Sequence, residues 1–212
     1  MRHLLSLALL AALVGCGGAP DRAAEQAVAA PPAAPPAPAS PAAPSASVPA
    51  PISPFAQTGL AGFSGYGGLT FGIAAADMEE AWGGALEAPG PVEDAAACHY
   101  LRPKRGSRSD NDPLFMVEGG NFVRYDIRAD TEVAPGGGRI GMRKDELLRL
   151  YAAGKVEEQP HAYTNGQYLR IADPAGGKGV LVFETDGKDA ASKVLRWRIG
   201  VAPQVDYVEG CS

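Results

Sequence analysis

The chain has 212 residues, a formal net charge of −5 and 46% hydrophobic residues. That length suits one globular domain with extensions. The mildly acidic balance argues against a nucleic-acid partner, which calls for a clustered basic surface.

The first element is a leader. Arg2 and His3 form a short charged start, and Leu4 to Val14 is a nearly unbroken apolar run. A bilayer-spanning helix needs roughly 20 apolar residues, so this run is too short to cross. It has the length of the apolar stretch in a secretory signal. Leu13-Val14-Gly15-Cys16 closes it and resembles a lipobox, the site where a signal is cut and a cysteine thiol receives diacylglycerol. An ordinary signal with a chance cysteine is the other reading. Position, spacing and small flanking residues favour lipidation at Cys16, with residues 1–15 as the signal peptide. Gly17, not Asp, follows the cysteine. The expected location is therefore the outer membrane, facing the periplasm, with the membrane as a partner through a multiply acylated anchor.

Residues 16–55 come next, and eleven of the 19 prolines lie between Ala19 and Pro54. Proline fixes φ and removes amide donors, so neither helix nor sheet propagates. The expected form is an extended tether, at up to ~3.1 Å per residue. The globular domain is expected at 56–212.

Within it, a shift of 69 residues lays Gly67-Gly68-Leu69-Thr70-Phe71-Gly72-Ile73 over Gly136-Gly137-Gly138-Arg139-Ile140-Gly141-Met142. This register suggests a duplication, with repeat one at about 67–130 and repeat two at about 136–212. Met78, Ala81 and Trp82 predict one apolar helix face, stopped by Gly83-Gly84. Strands follow at 98–102, 114–118 and 121–128, with Glu118-Gly119-Gly120-Asn121 as a hairpin turn. In the second unit Leu147, Leu150 and Tyr151 predict the helix, and strands follow at 168–172, 179–184 and 193–200. The expected fold class is α+β: two tandem repeats, each a short helix followed by an antiparallel three-stranded meander, with the helices packed on one face of a sheet.

Gly141-Met142-Arg143-Lys144-Asp145-Glu146-Leu147, followed by such a meander, resembles the opening of BamE/SmpA-type envelope lipoproteins. The duplicated form resembles the tandem-repeat β-lactamase-inhibitor proteins of the same superfold. That family usually places Thr after Gly-Met as the helix N-cap; Arg143 stands there in this chain, and Ala74 in the first unit. The tail from Val205 to Cys211 is also similar to that of proteobacterial lipoproteins with this architecture. The resemblance implies a protein that binds other proteins, as inhibitor or assembly factor, and does no chemistry.

With Cys16 lipidated, Cys98 and Cys211 remain as an even pair in an oxidising compartment, and a disulfide is expected between them. Two buried free thiols are the alternative. His99 and His161 are the histidines left after signal removal; both read as structural or surface residues. There is no Gly-x-Ser-x-Gly elbow, no His-Glu-x-x-His and no Cys-x-x-Cys. Gly136-Gly137-Gly138-Arg139-Ile140-Gly141 fits a dinucleotide fingerprint formally, but that loop works only inside a parallel βαβ unit. No catalytic residue, metal, cofactor or nucleotide is therefore expected. Asp110-Asn111-Asp112 offers oxygen ligands, yet no Glu follows at the EF-hand position.

Two features suggest contact surfaces. Arg102, Lys104, Arg105 and Arg108 cluster in one loop of an acidic chain. Tyr125 and Trp197 sit on strands flanked by Arg124, Arg196 and Arg198, and are expected as an exposed stripe on an open sheet face. The function expected is a non-enzymatic, membrane-anchored lipoprotein that binds another envelope protein, of inhibitor or immunity type. An outer-membrane assembly scaffold or a glycan-binding module is the alternative, and a hydrolase the third.

Overall fold

The structure, a computed structural model, describes residues 59–106 and 109–211. The signal segment, Cys16, the proline-rich tether and Arg108 lie outside the described residues. Three two-residue strands come first: β1 (Ala61–Gly62), β2 (Gly65–Tyr66) and β3 (Leu69–Thr70). Helix α1 (Met78–Trp82) leads to β4 (Leu86–Glu87), β5 (His99–Pro103), β6 (Leu114–Glu118) and β7 (Asn121–Ile127). Helix α2 (Lys144–Leu150) leads to β8 (Val156–Pro160), β9 (Gln167–Ala172), β10 (Val180–Thr185) and β11 (Val194–Gly200). Two 3-10 turns complete the described elements, Ala75–Asp77 before α1 and Gln204–Asp206 after β11.

The α+β expectation is corrected: the fold is mostly β. β1, β2 and β3 form a three-stranded sheet, and the other eight strands form one antiparallel sheet in the order β4-β5-β6-β7-β11-β10-β9-β8. Hydrogen bonds between β7 and β11 make that sheet continuous, so two separate three-stranded repeats beneath a helical layer do not describe it. The physical reason lies in helix length. α1 has five residues and α2 seven, each one to two turns, far below what a helix needs to stand as a layer. Their apolar faces are shallow: Met78 and Leu147 are fully buried, but Leu150 is 41% exposed. No side chain caps either start. Arg143, where a Thr would cap, is a donor only; the Glu146 carboxylate instead accepts from the Arg143 amide at 3.2 Å.

Six strands were legible, and β1, β2, β3, β4 and β8 were not. β6 occupies Leu114–Glu118 as expected, and Gly119 and Gly120, at φ +60° and +74°, turn the chain into β7. β4 is too short to carry a pattern. β8 reads Val-Glu-Glu-Gln-Pro, without apolar alternation, because this edge strand is held by backbone pairing to β9. Its charges and closing proline also blunt the free edge. The buried Lys144 ties α2 to this corner, donating to Glu158 Oε2 (2.7 Å), Gln167 Oε1 (2.5 Å) and the Lys188 carbonyl (2.9 Å).

The core lies between one face of the large sheet and a cover made of the small sheet and both helices. Tyr66 packs on Phe115 and Tyr125, with ring centres 5.7 and 5.1 Å away, and Trp82 meets Phe115 at 5.5 Å. The Tyr125 hydroxyl donates to the Gly62 carbonyl at 2.9 Å, tying the sheets together. The glycine-rich loop before α2 also has a packing explanation. Tyr151 donates to the Pro135 carbonyl (2.6 Å) and accepts from the Gly138 amide (3.1 Å). A Cβ on Gly138 would stand 2.4 Å from Phe183 Cζ and 2.9 Å from Leu147 Cδ1. Gly138→Ala is therefore expected to cost about 1–3 kcal/mol by overpacking, read as a lower urea midpoint. An unchanged midpoint would show that the loop can shift freely.

Candidate functional site

The second face of the large sheet is charged, and strand alternation puts it there. From Arg124 onward β7 turns Tyr125 and Ile127 to the core and Arg124 and Asp126 to the other side. In β11, Trp197 and Ile199 face in while Arg196 and Arg198 face out; in β10, Phe183 faces in and Glu184 out; in β9, Leu169 faces in and Tyr168 and Arg170 out. Register gathers these groups: Arg198 stands opposite Asp126 and Val182, Arg196 opposite Glu184, and Glu184 opposite Tyr168.

Glu184, with its side chain 4% exposed, is the centre of the lattice. Arg196 Nε donates to its Oε2 at 2.5 Å, Arg198 Nη1 donates to Oε1, and His161 Nε2 lies 3.4 Å from Oε2. Burial alone would raise the Glu184 carboxyl, but the Arg198 and Arg196 charges outweigh it and hold the group below its ordinary pKa. Arg124 forks onto Asp126, with Nε 3.0 Å and Nη2 2.5 Å from its oxygens. Burial would push the Arg124 guanidinium down; Asp126 pushes it up, and the net direction is up. Tyr100 donates to Asp126 as well, and burial, reinforced by that carboxylate, pushes its phenol up to about 12.

The chain after β11 is laid across this face and fastened to it. Arg124 Nη1 donates to the carbonyls of Gln204 (3.1 Å) and Tyr207 (2.6 Å), and Arg198 Nε to that of Val205 (2.7 Å). Arg170 pairs with Asp206, and Gln204 Nε2 donates to Glu118 at 2.5 Å. Val205, fully buried, packs with Tyr168 and Val182. A guanidinium suits this task because it offers five donors in a rigid fork, enough for a carboxylate and a carbonyl together. The Cys211 end is joined to Cys98, just before β5, by a 2.05 Å disulfide.

Clefts flank the fastened segment. One, of about 240 Å3, lies between Tyr100, Arg124, Arg128, Arg196 and Glu209. Another, of about 350 Å3, lies over Tyr168, Arg170, Val182 and Arg198. Arg128 is exposed and has no ion partner among the described residues, and the Arg196 side chain is 44% exposed beyond its Nε contact. Tyr163 is 67% exposed, yet its hydroxyl donates to Glu209 at 2.5 Å and its amide to His161 Nδ1 at 3.1 Å. The face therefore presents a held aromatic ring, the held Arg196 guanidinium and the exposed Arg128 guanidinium.

The residues singled out from the sequence fare differently. Tyr125 and Trp197 are not an exposed stripe: they are 0% and 1% exposed and form part of the core. Strand alternation allows either the aromatics or the arginines between them to face inward, and burying the rings removes more apolar surface from water. Arg102 is buried too, pairing with Glu87 at 3.1 Å. Lys104 is exposed, and Arg105 lies 3.4 Å from Asp112. The loop is thus partly committed to the fold. His99 Nδ1 meets the Ala97 carbonyl at 2.9 Å, away from the charged face. Asp126, Arg170, Glu184 and Tyr168 were missed, although Arg124-Tyr125-Asp126 and Arg196-Trp197-Arg198 carried the signal: charges alternating with a large ring on central strands. Among the described residues no cluster of three or more His, Cys, Asp or Glu could hold a metal ion.

No protein-family model matches the chain, and no curated protein matches it. Among solved structures it is similar to the uncharacterized protein yfeY from Escherichia coli, at 14% identity and a TM-score of 0.43, over 69% of this chain and 99% of that one.

Proposed function

We propose that this chain is a membrane-anchored lipoprotein, without chemistry of its own, that binds another envelope protein through the charged face of its sheet, as an inhibitor or immunity-type protein. The observation that carries this reading is the rim of that face. Tyr163 stands out while its hydroxyl and amide are held, and Arg128 and Arg196 flank a cleft beside it. Tyrosine and arginine dominate the energetics of protein interfaces. A side chain already ordered loses less entropy on binding. The lipobox-like Leu13-Val14-Gly15-Cys16 and the proline-rich stretch behind it support a tethered position at the membrane.

The test uses the full-length tagged protein, recovered from its own envelope after mild crosslinking. Arg128→Glu is expected to lower recovery of the wild-type partner about tenfold or more, as for loss of an interface anchor. Tyr163→Ala should act in the same direction, and Lys104→Glu should leave recovery unchanged. Equal recovery by all four proteins, each with an unchanged thermal midpoint, would overturn the reading.

A further inference from the structure

The cleft over β9 and β10 has features that holding the C-terminal segment does not account for. Tyr168 forms its floor and is clamped: His161 stacks on its ring at 4.6 Å, and the Arg198 guanidinium lies 5.3 Å from the ring centre. Its hydroxyl is buried, and among the described residues no acceptor meets its proton. The neighbouring Ala162 amide is itself a donor, so it leaves the hydroxyl proton without an acceptor. Buried polar groups are nearly always satisfied, and an exception calls for a cause.

Two cations line the same space with donors to spare. Arg198, 4% exposed at its side chain, uses Nε on the Val205 carbonyl and Nη1 on Glu184; its Nη2 has no partner among the described residues. Arg170 pairs with Asp206 through Nη1. The rest of the lining is Val182, fully buried, with Val208, Pro160 and Ala162, and Gln159 and Asp206 at its polar side. Uncommitted donors call for an acceptor. Arg170, Arg196 and Arg198 share two carboxylates, Asp206 and Glu184, and the one positive charge in excess calls for a single negative charge, while the apolar part of the lining calls for a short hydrocarbon body. A planar carboxylate matches a guanidinium edge.

We infer that this cleft of about 350 Å3 binds a small carboxylate with a short branched apolar body, the acid group on Tyr168, Arg170 and Arg198 and the body against Val182 and Val208. The site stands whether or not the Tyr163 rim binds a protein. Such a carboxylate comes either as a free acid or as the C-terminus of a peptide.

The full-length protein is titrated with isovalerate, N-acetylvaline and N-acetylvaline amide, followed by calorimetry. Both acids are expected to saturate one site, and the amide to bind about tenfold more weakly or worse, since a hydrogen bond to a charged group is lost. Tighter N-acetylvaline assigns the site to a peptide terminus; isovalerate of equal or greater affinity assigns it to a free acid. Tyr168→Phe should weaken both acids about tenfold, with the thermal midpoint measured alongside to show that the fold is kept. Val208→Phe, which fills the cleft from the segment side, should also abolish binding. Failure of both acids to saturate, an amide as tight as its acid, or full-affinity binding by Tyr168→Phe would overturn the inference.

Discussion

Replacing Cys98 and Cys211 together with serine is expected to lower the unfolding free energy by about 4–5 kcal/mol, the chain-entropy value for a loop near a hundred residues. The bridge joins positions 113 apart and encloses most of the domain. Its main effect falls on the unfolded chain, which gains freedom when the loop opens. The denaturant slope should therefore rise as well, because the released unfolded chain exposes more surface. In the folded state Arg124, Arg198 and Arg170 still hold residues 204–207, so the double variant should keep a native far-ultraviolet spectrum. A loss under about 1 kcal/mol would contradict this and place the stability in the arginine contacts instead.

Glu184→Ala should be comparably damaging, at about 3–5 kcal/mol, because removing one partner of a buried ion pair strands the other charge. Arg198 would stay buried and protonated without its carboxylate. Replacing both residues with apolar side chains, Glu184→Leu with Arg198→Met, should recover much of the loss, since a buried pair is worth little against good packing. If the double variant is as unstable as the single one, the damage comes from lost contacts to the segment and not from the stranded charge. Acid sensitivity follows with a definite sign. The folded-state pKa of Glu184 lies below its ordinary value of 4.5, so its contribution is complete above that value. It is lost as pH falls through the lowered folded value. The wild-type stability curve should drop on acidification, and Glu184→Gln should flatten that drop.

The strands were the most readable part of the chain because β-branched and aromatic residues mark them. β5, β6, β7, β9, β10 and β11 fall within one or two residues of their expected positions. The helices misled. A three-residue apolar face such as Met78, Ala81 and Trp82 reads the same whether the helix runs one turn or four, and only tertiary packing sets its length. The site was half legible. Arg124, Arg196 and Arg198 stood out, but a period of two does not say which face is inside, and the fully buried Tyr125 and Trp197 resolve that choice. Of residues 201–211 only the Cys211 end was legible, through its expected pairing with Cys98. Their cover over the sheet depends largely on carbonyl groups meeting Arg124, about 80 residues away, which leaves no local pattern.

Site-specific photo-crosslinking in the intact envelope tests most directly whether the charged sheet face is the proposed binding surface. A photoreactive side chain is placed at position 128 or 163, both on the rim of that face, or at position 80, exposed on α1 across the core. Positions 128 and 163 are predicted to give the same discrete protein adduct, and position 80 none. An adduct at position 80 with none at 128 or 163 would contradict the account.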